Sequence, residues 1–113
     1  MKILFVCSAN VDRSPTAECL YGNEPGLEVK SAGASPWARK PVSAELIEWA
    51  DVVLCMEDWQ KQFIEREFRE VITKQKIGNL DIRDTYRYMQ PLLIEIIKEK
   101  TDAWLLENQC KQS

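Results

Sequence analysis

The chain contains no histidine. That absence excludes Cys–His dyads, Ser–His–Asp triads and histidine-ligated zinc. A cysteine nucleophile here must be activated by its own loop and by nearby cations, not by an imidazole base. Closely paired cysteines are lacking too. Cys7, Cys19, Cys55 and Cys110 show no C-x-x-C pairing, which argues against a metal cluster. No apolar run is long enough to span a membrane. The N-terminal run is too short for a signal peptide and leads into Asn10, Asp12 and Arg13. Positive charge is not in excess either. With 15 Lys and Arg against 18 Asp and Glu, the net charge is -3. No basic field exists to gather nucleic acid, so any anion site must be local. Repeats and low-complexity segments are also lacking. A reduced, cytoplasmic setting is expected, with neither nucleic acid nor a membrane as partner.

What is present fits one domain over residues 1–113. Hydrophobic residues make up 45% and charged residues 29%, ordinary values for a soluble globular protein. A chain of this length buries roughly two-thirds of its unfolded surface, enough for one core.

The chain is organised around Cys7-Ser8-Ala9-Asn10-Val11-Asp12-Arg13-Ser14. The preceding Ile3-Leu4-Phe5-Val6 suits a strand buried on both faces of a parallel sheet. Ser14 is a good N-cap, and Pro15 is at home in a first helical turn. The pattern is therefore strand, tight loop, helix. A loop that opens a helix offers backbone N–H groups and the positive end of the macrodipole, a ready anion site. The same surroundings favour the thiolate of Cys7. Arg13 can hold two phosphoryl oxygens at once, and the amides of residues 8 to 14 can form a nest around the rest. Ser14 can donate a hydrogen bond to the Cys7 sulfur. Asn10 tolerates a left-handed backbone, which so tight a loop can require. The alternative is a buried hydrophobic Cys7 and a solvated Arg13. The joint context of strand, serine and proline favours attack of a thiolate on a phosphate monoester.

With Cys-x5-Arg-Ser directly after the first strand, this stretch resembles the phosphate-binding loop of the low-molecular-weight protein tyrosine phosphatases. Ser14-Pro15-Thr16-Ala17-Glu18, Ser31-Ala32-Gly33 and Ala50-Asp51-Val52-Val53-Leu54-Cys55-Met56 also match that family. The resemblance covers most of the chain, which is shorter than a typical member. Asp12 stands where many members carry a second cysteine. The resemblance implies a hydrogen bond between Ser31 and Asn10. It also implies a phosphotyrosine protein or small aryl phosphate as substrate and inorganic phosphate as product.

Strands are expected at 2–6, 27–31, 51–56 and 71–77, the second and fourth at edges. Helices are expected over 14–21, 43–50, 57–68 and 90–107. Together these give an α/β fold: a doubly wound parallel sheet of about four strands with helices on both faces. Trp59, Phe63, Ile64 and Phe68 should face inward from the third helix, and Met89, Leu92, Leu93, Ile96, Ile97, Lys100, Ala103 and Trp104 from the last. Cys55 reads as a core hydrophobe. The loop 31–41 lies on the rim at the carboxyl ends of the strands, where ligands bind. On it, Trp37 is either an aromatic wall for a phenyl ring or a packing residue. Arg39 and Lys40 read as solvated.

Expulsion of an alkoxide or phenolate needs a proton. Without histidine, Asp81 or Asp84 on the late rim loop must supply it. The family carries its acid in an Asp-Pro-Tyr segment. Asp84-Thr85-Tyr86 is similar, with threonine for proline, so Asp84 is preferred and Tyr86 is expected to line the pocket. Deprotonated, Asp84 would activate water to hydrolyse the phosphocysteine. No metal or other cofactor is needed, because Arg13 and the amides stabilise the charge. Two alternatives are an arsenate reductase-like enzyme, which would need a close relay of cysteines, and an inactive phosphopeptide- or anion-binding module.

Overall fold

Ile3 to Val6 are completely buried, as a strand covered on both faces must be. In the computed structural model, which describes residues 1–108, they form the middle of β1 (Lys2–Cys7). There follow α1 (Arg13–Tyr21), β2 (Glu28–Gly33), α2 (Ala44–Trp49), β3 (Val52–Cys55), α3 (Asp58–Glu67), β4 (Lys76–Asn79) and α4 (Pro91–Glu107). All strand pairs are parallel, in the order β2-β1-β3-β4. β2 and β4 are therefore the edges, as expected. Cys110 lies outside the described residues.

Alternation along the central strands divides the core in two. Ile3, Phe5, Cys7, Val52, Leu54 and Met56 pack with Ala17 and Tyr21 of α1 and Leu93, Ile97 and Leu105 of α4. Leu4, Val6, Val53 and Cys55 pack on the opposite face with Ile47 of α2 and Ile64 of α3. Chain direction across the sheet reverses between β1 and β3. The loops leaving these two strands diverge there and open a crevice at their carboxyl ends, the usual ligand position in such sheets.

Four expectations need correction. The fourth strand begins at Lys76, not Val71. Gln75 is the cause: its Oε1 accepts the N–H groups of Thr73 and Lys74, while its Nε2 donates to Ile47 O and Val71 O. Those bonds fold 71–75 into a turn before the ladder with β3 can start. The helix after the phosphate loop begins at Arg13 with Asp12 in the N-cap position, so Ser14 is not its cap. On α3, Gln60 is fully buried and Trp59 is 45% exposed, because Gln60 serves the helix N-terminus. On α4, Leu92 and Ala103 face solvent, and the buried stripe is Leu93, Ile97, Thr101 and Leu105.

Two glycines are required by close approach. A Cβ on Gly78 would lie 2.3 Å from Trp104 Nε1, so only glycine lets α4 lie on β4 there. A Cβ on Gly33 would lie 2.5 Å from Ala38 Cβ and 2.7 Å from Ser8 O. That second contact brings the rim loop against the phosphate loop.

Candidate active site

The orientation of the phosphate loop follows from its carbonyls. Cys7 O accepts from Ala34 N at 2.8 Å, Ser8 O from Ser35 N at 3.0 Å and Ala9 O from Arg39 N at 2.9 Å. Asn10 O accepts from Arg39 Nε at 3.1 Å. In a trans peptide unit the N–H points opposite to its carbonyl. With four successive carbonyls turned to the rim loop, the N–H groups of Ser8, Ala9, Asn10 and Val11 turn the other way, toward the Cys7 side. The Asn10 N–H does reach the Cys7 sulfur, at 3.2 Å. Asn10 holds the left-handed φ of 58° that lets the loop close. Arg39 is exposed, as expected, and is also part of the frame.

Behind the loop the side chains form a chain of hydrogen bonds. Asn10 Nδ2 donates to Ser14 Oγ at 2.9 Å and to Ser31 Oγ at 3.0 Å. Ser31 Oγ in turn donates to Glu18. Ser14 Oγ lies 3.0 Å from Cys7 Sγ and 3.2 Å from Ala32 O. A hydroxyl has one proton. Against a thiol, Ser14 can donate to Ala32 O and accept from sulfur. Against a thiolate, it can turn its proton to sulfur.

Arg13 is 1% exposed, and a buried guanidinium must be paired. Its Nη1 donates to Glu57 Oε2 at 2.6 Å and to Ile82 O at 2.7 Å, and its Nη2 to Ser8 Oγ at 3.1 Å. Asp84 Oδ1 lies 3.6 Å from Nε. The edge formed by Nε and Nη2 is the fork that could receive two phosphoryl oxygens. Glu57 and Gln60 escaped the sequence reading. They form a capping box at the start of α3, and Gln60 Nε2 also donates to Ser8 Oγ at 3.2 Å. The Glu-x-x-Gln spacing directly after the buried third strand was a usable signal.

Asp84 is 61% exposed beside Arg13. Asp81 lies apart, its carbonyl bonded to Lys100 Nζ. Trp37 is 74% exposed, so it is not a packing residue. Tyr86 is half-buried. It packs against the core and lines a cavity of about 280 Å³ with Asp81, Ile82, Arg83, Ile96 and Lys100. Tyr88 lines a different cavity, of about 390 Å³, with Val11, Pro15, Glu18, Cys19 and Arg39. Asp12 turns its carboxylate to the Tyr88 N–H at 2.8 Å. Burial pushes the Cys55 thiol well above the usual range, so it is a poor nucleophile. Among the described residues, no three His, Cys, Asp or Glu side chains gather as a metal site, and no helix is long and apolar enough to cross a membrane.

No family model matches the chain. A protein-arginine-phosphatase of Geobacillus stearothermophilus is 35% identical over 97 aligned positions, covering 65% of this chain and 66% of that relative. The match thus spans about two-thirds of the relative's length. A Ralstonia nicotianae protein named "Probable low molecular weight protein-tyrosine-phosphatase EpsP" is 28% identical over 134 aligned positions, 91% of this chain and 92% of its own. The solution structure of a low-molecular-weight protein tyrosine phosphatase from Bacillus subtilis superposes with a TM-score of 0.69 at 25% identity, over 96% of this chain and 99% of that one.

Proposed function

The chain belongs to the low-molecular-weight protein tyrosine phosphatase family, and on that premise we propose that it hydrolyses phosphate monoesters through a phosphocysteine intermediate, without a metal. The observation that carries this reading is Cys7 Sγ, held by the Asn10 N–H and Ser14 Oγ at a helix N-terminus, with the buried Arg13 alongside. The Cys7 thiolate attacks phosphorus while the amides of the loop and the Arg13 fork take the phosphoryl oxygens. The phosphorus–oxygen bond of the ester breaks, and Asp84 gives its proton to the departing phenolate. Asp84, now ionised, takes a proton from water as that water attacks phosphorus. The sulfur–phosphorus bond breaks, Ser14 turns its proton to the leaving thiolate, and inorganic phosphate departs.

The substrate we favour is phosphotyrosine in a protein or a small aryl phosphate. The exposed rings of Trp37 and Tyr88 on the rim support it, since they could flank a phenyl group. A second reading, phosphoarginine, rests on the 35% identity to an arginine phosphatase. The cradle would hold either phosphoryl group alike. The arsenate alternative lacks a relay among the described residues: Cys55 packs on the opposite sheet face from Cys7, and Cys19 is exposed on α1. Release of phenolate from an aryl phosphate, with and without chelator, tests the reaction. Parallel assays on phosphotyrosine and phosphoarginine peptides separate the substrates. No turnover of any of these, with phosphate binding intact, would point to a binding module.

A further inference from the structure

Asp12 occupies the N-cap of α1, where an aspartate normally accepts an N–H of its own first turn. It makes no such bond. Its Oδ1 reaches 76 residues along the chain to the Tyr88 N–H, at 2.8 Å. The next amide, Met89 N–H, is taken by Thr16 Oγ1 at 2.9 Å. Thr16 Oγ1 spends its one proton on Asp12 O at 2.7 Å, so its lone pairs face Met89. Met89 has a φ of 59°, a conformation that a non-glycine residue keeps only when its surroundings hold it.

The other end of this segment is fastened as well. Ile82 O accepts from Arg13 Nη1, and Ile82 N donates to Met56 O at 2.7 Å. Between Ile82 and Tyr88 the chain is exposed except for Tyr86, and the ion pair of Asp84 is with Arg13. The acid-bearing loop is therefore tied at both ends to the start of α1. Its first anchor is the side chain of Arg13, and its second is the pair Asp12 and Thr16.

We propose that Asp12 and Thr16 form a two-point clamp on the Tyr88 and Met89 amides that sets where Asp84 stands relative to the phosphate cradle. Asp12 is thereby a positioning residue for leaving-group protonation, an inference that rests on reading Asp84 as the acid. A charged acceptor suits the task, since a carboxylate holds an amide more strongly than a neutral oxygen does. Losing one anchor lets Asp84 wander while the cradle stays intact. The defect should then fall on the chemical step and leave phosphate binding alone.

The test is steady-state turnover of aryl phosphates whose phenols differ in acidity, with inorganic phosphate as competitive inhibitor. Asp12→Ala should lower kcat/KM, which reports only the steps up to phenol release, about tenfold for the least acidic phenols, within the ~10² that a misplaced group can cost. The loss should shrink for the most acidic phenols, with phosphate inhibition unchanged. Asp12→Asn keeps an oxygen for the Tyr88 N–H and should recover most of the loss. In an Asp84→Asn background, Asp12→Ala should add almost nothing, because both changes act on one step. A loss by Asp12→Ala that is equal for all phenols, or that adds fully to Asp84→Asn, would overturn the clamp. A flat profile for Asp84→Asn itself would overturn the acid assignment and the clamp with it. Should Asp12→Ala fail to fold, Thr16→Val removes the second anchor at nearly constant volume. It should give the same profile and faster hydrogen exchange at the Met89 amide; unchanged exchange there would count against the clamp.

Discussion

The phosphate loop and the loop bearing Asp84 lie side by side on the carboxyl rim of the sheet, yet they are built on opposite terms. Asn10, Arg13, Ser14 and Ser31 are 1% exposed or less, and four successive carbonyls of the phosphate loop are fixed by the neighbouring rim loop. The later loop exposes Arg83, Asp84 and Thr85, is hydrogen-bonded near its two ends and rests on the core through Tyr86. On the proposed reading the cradle presents donors in a fixed arrangement to a phosphoryl group, and its geometry is locked before substrate arrives. On the proposed mechanism Asp84 meets leaving groups of different shape, and an exposed stretch of loop leaves it room to do so.

Substitutions that separate the two regions test this contrast. The largest effect is expected from Cys7→Ser, which should abolish turnover and keep phosphate binding, because the amides and Arg13 remain. Arg13→Lys should weaken both, since the fork is lost. Turnover and phosphate titration by calorimetry distinguish the outcomes, and near-normal turnover of the serine variant would overturn the mechanism. Next in size is Asp84→Asn, which should slow esters of poor leaving groups by about 10²- to 10⁴-fold. Asp81→Asn should do far less. A large, leaving-group-dependent loss at Asp81 would reverse the assignment.

A smaller effect, on stability, is expected from Gly33→Ala. The new methyl would press on Ala38 and on the Ser8 carbonyl, and overpacking of this kind costs about 1–3 kcal/mol. Thermal melting should show a midpoint lowered by several degrees, with weaker stabilisation by added phosphate. An unchanged midpoint would mean that the rim loop does not brace the cradle. The smallest difference concerns oxidation. With Asp12 where a cysteine could capture an oxidised Cys7, a peroxide pulse should inactivate with poor recovery by dithiol. Asp12→Cys should make more of the lost activity recoverable, from a lower starting activity because the clamp is gone. Mass analysis of the Cys7 peptide distinguishes a disulfide from higher oxides. Full recovery of the unmodified protein, with Cys7 in no disulfide or sulfenamide, would overturn this expectation.

The cradle was legible in the sequence because its parts are contiguous. A buried strand, a cysteine, an arginine and a helix-opening Ser-Pro follow one another, and local rules suffice to assemble them. The edge positions of the second and fourth strands were legible from their mixed patterning. Contacts between distant segments were not. The partnership of Glu57 with Arg13 spans 44 residues and that of Asp12 with Tyr88 spans 76, and no periodicity announces either. Likewise Val71 and Ile72 have strand propensity, but one buried glutamine satisfies that backbone as a turn. Trp59 looked like core on hydrophobicity alone. Helix capping gave the inward position to Gln60 instead.

The division of the core into two faces also equips the molecule with an internal clock. Cys55 ends β3, one of the two central strands of the sheet, completely shielded, with β1 on one side and β4 on the other. No breathing of a rim loop uncovers it. A thiol-labelling reagent can reach its sulfur only when the α2 and α3 layer lifts from that face of the sheet, whereas the exposed Cys19 reacts at once. The rate at which the Cys55 peptide acquires label under native conditions therefore measures opening of that half of the core, independently of catalysis.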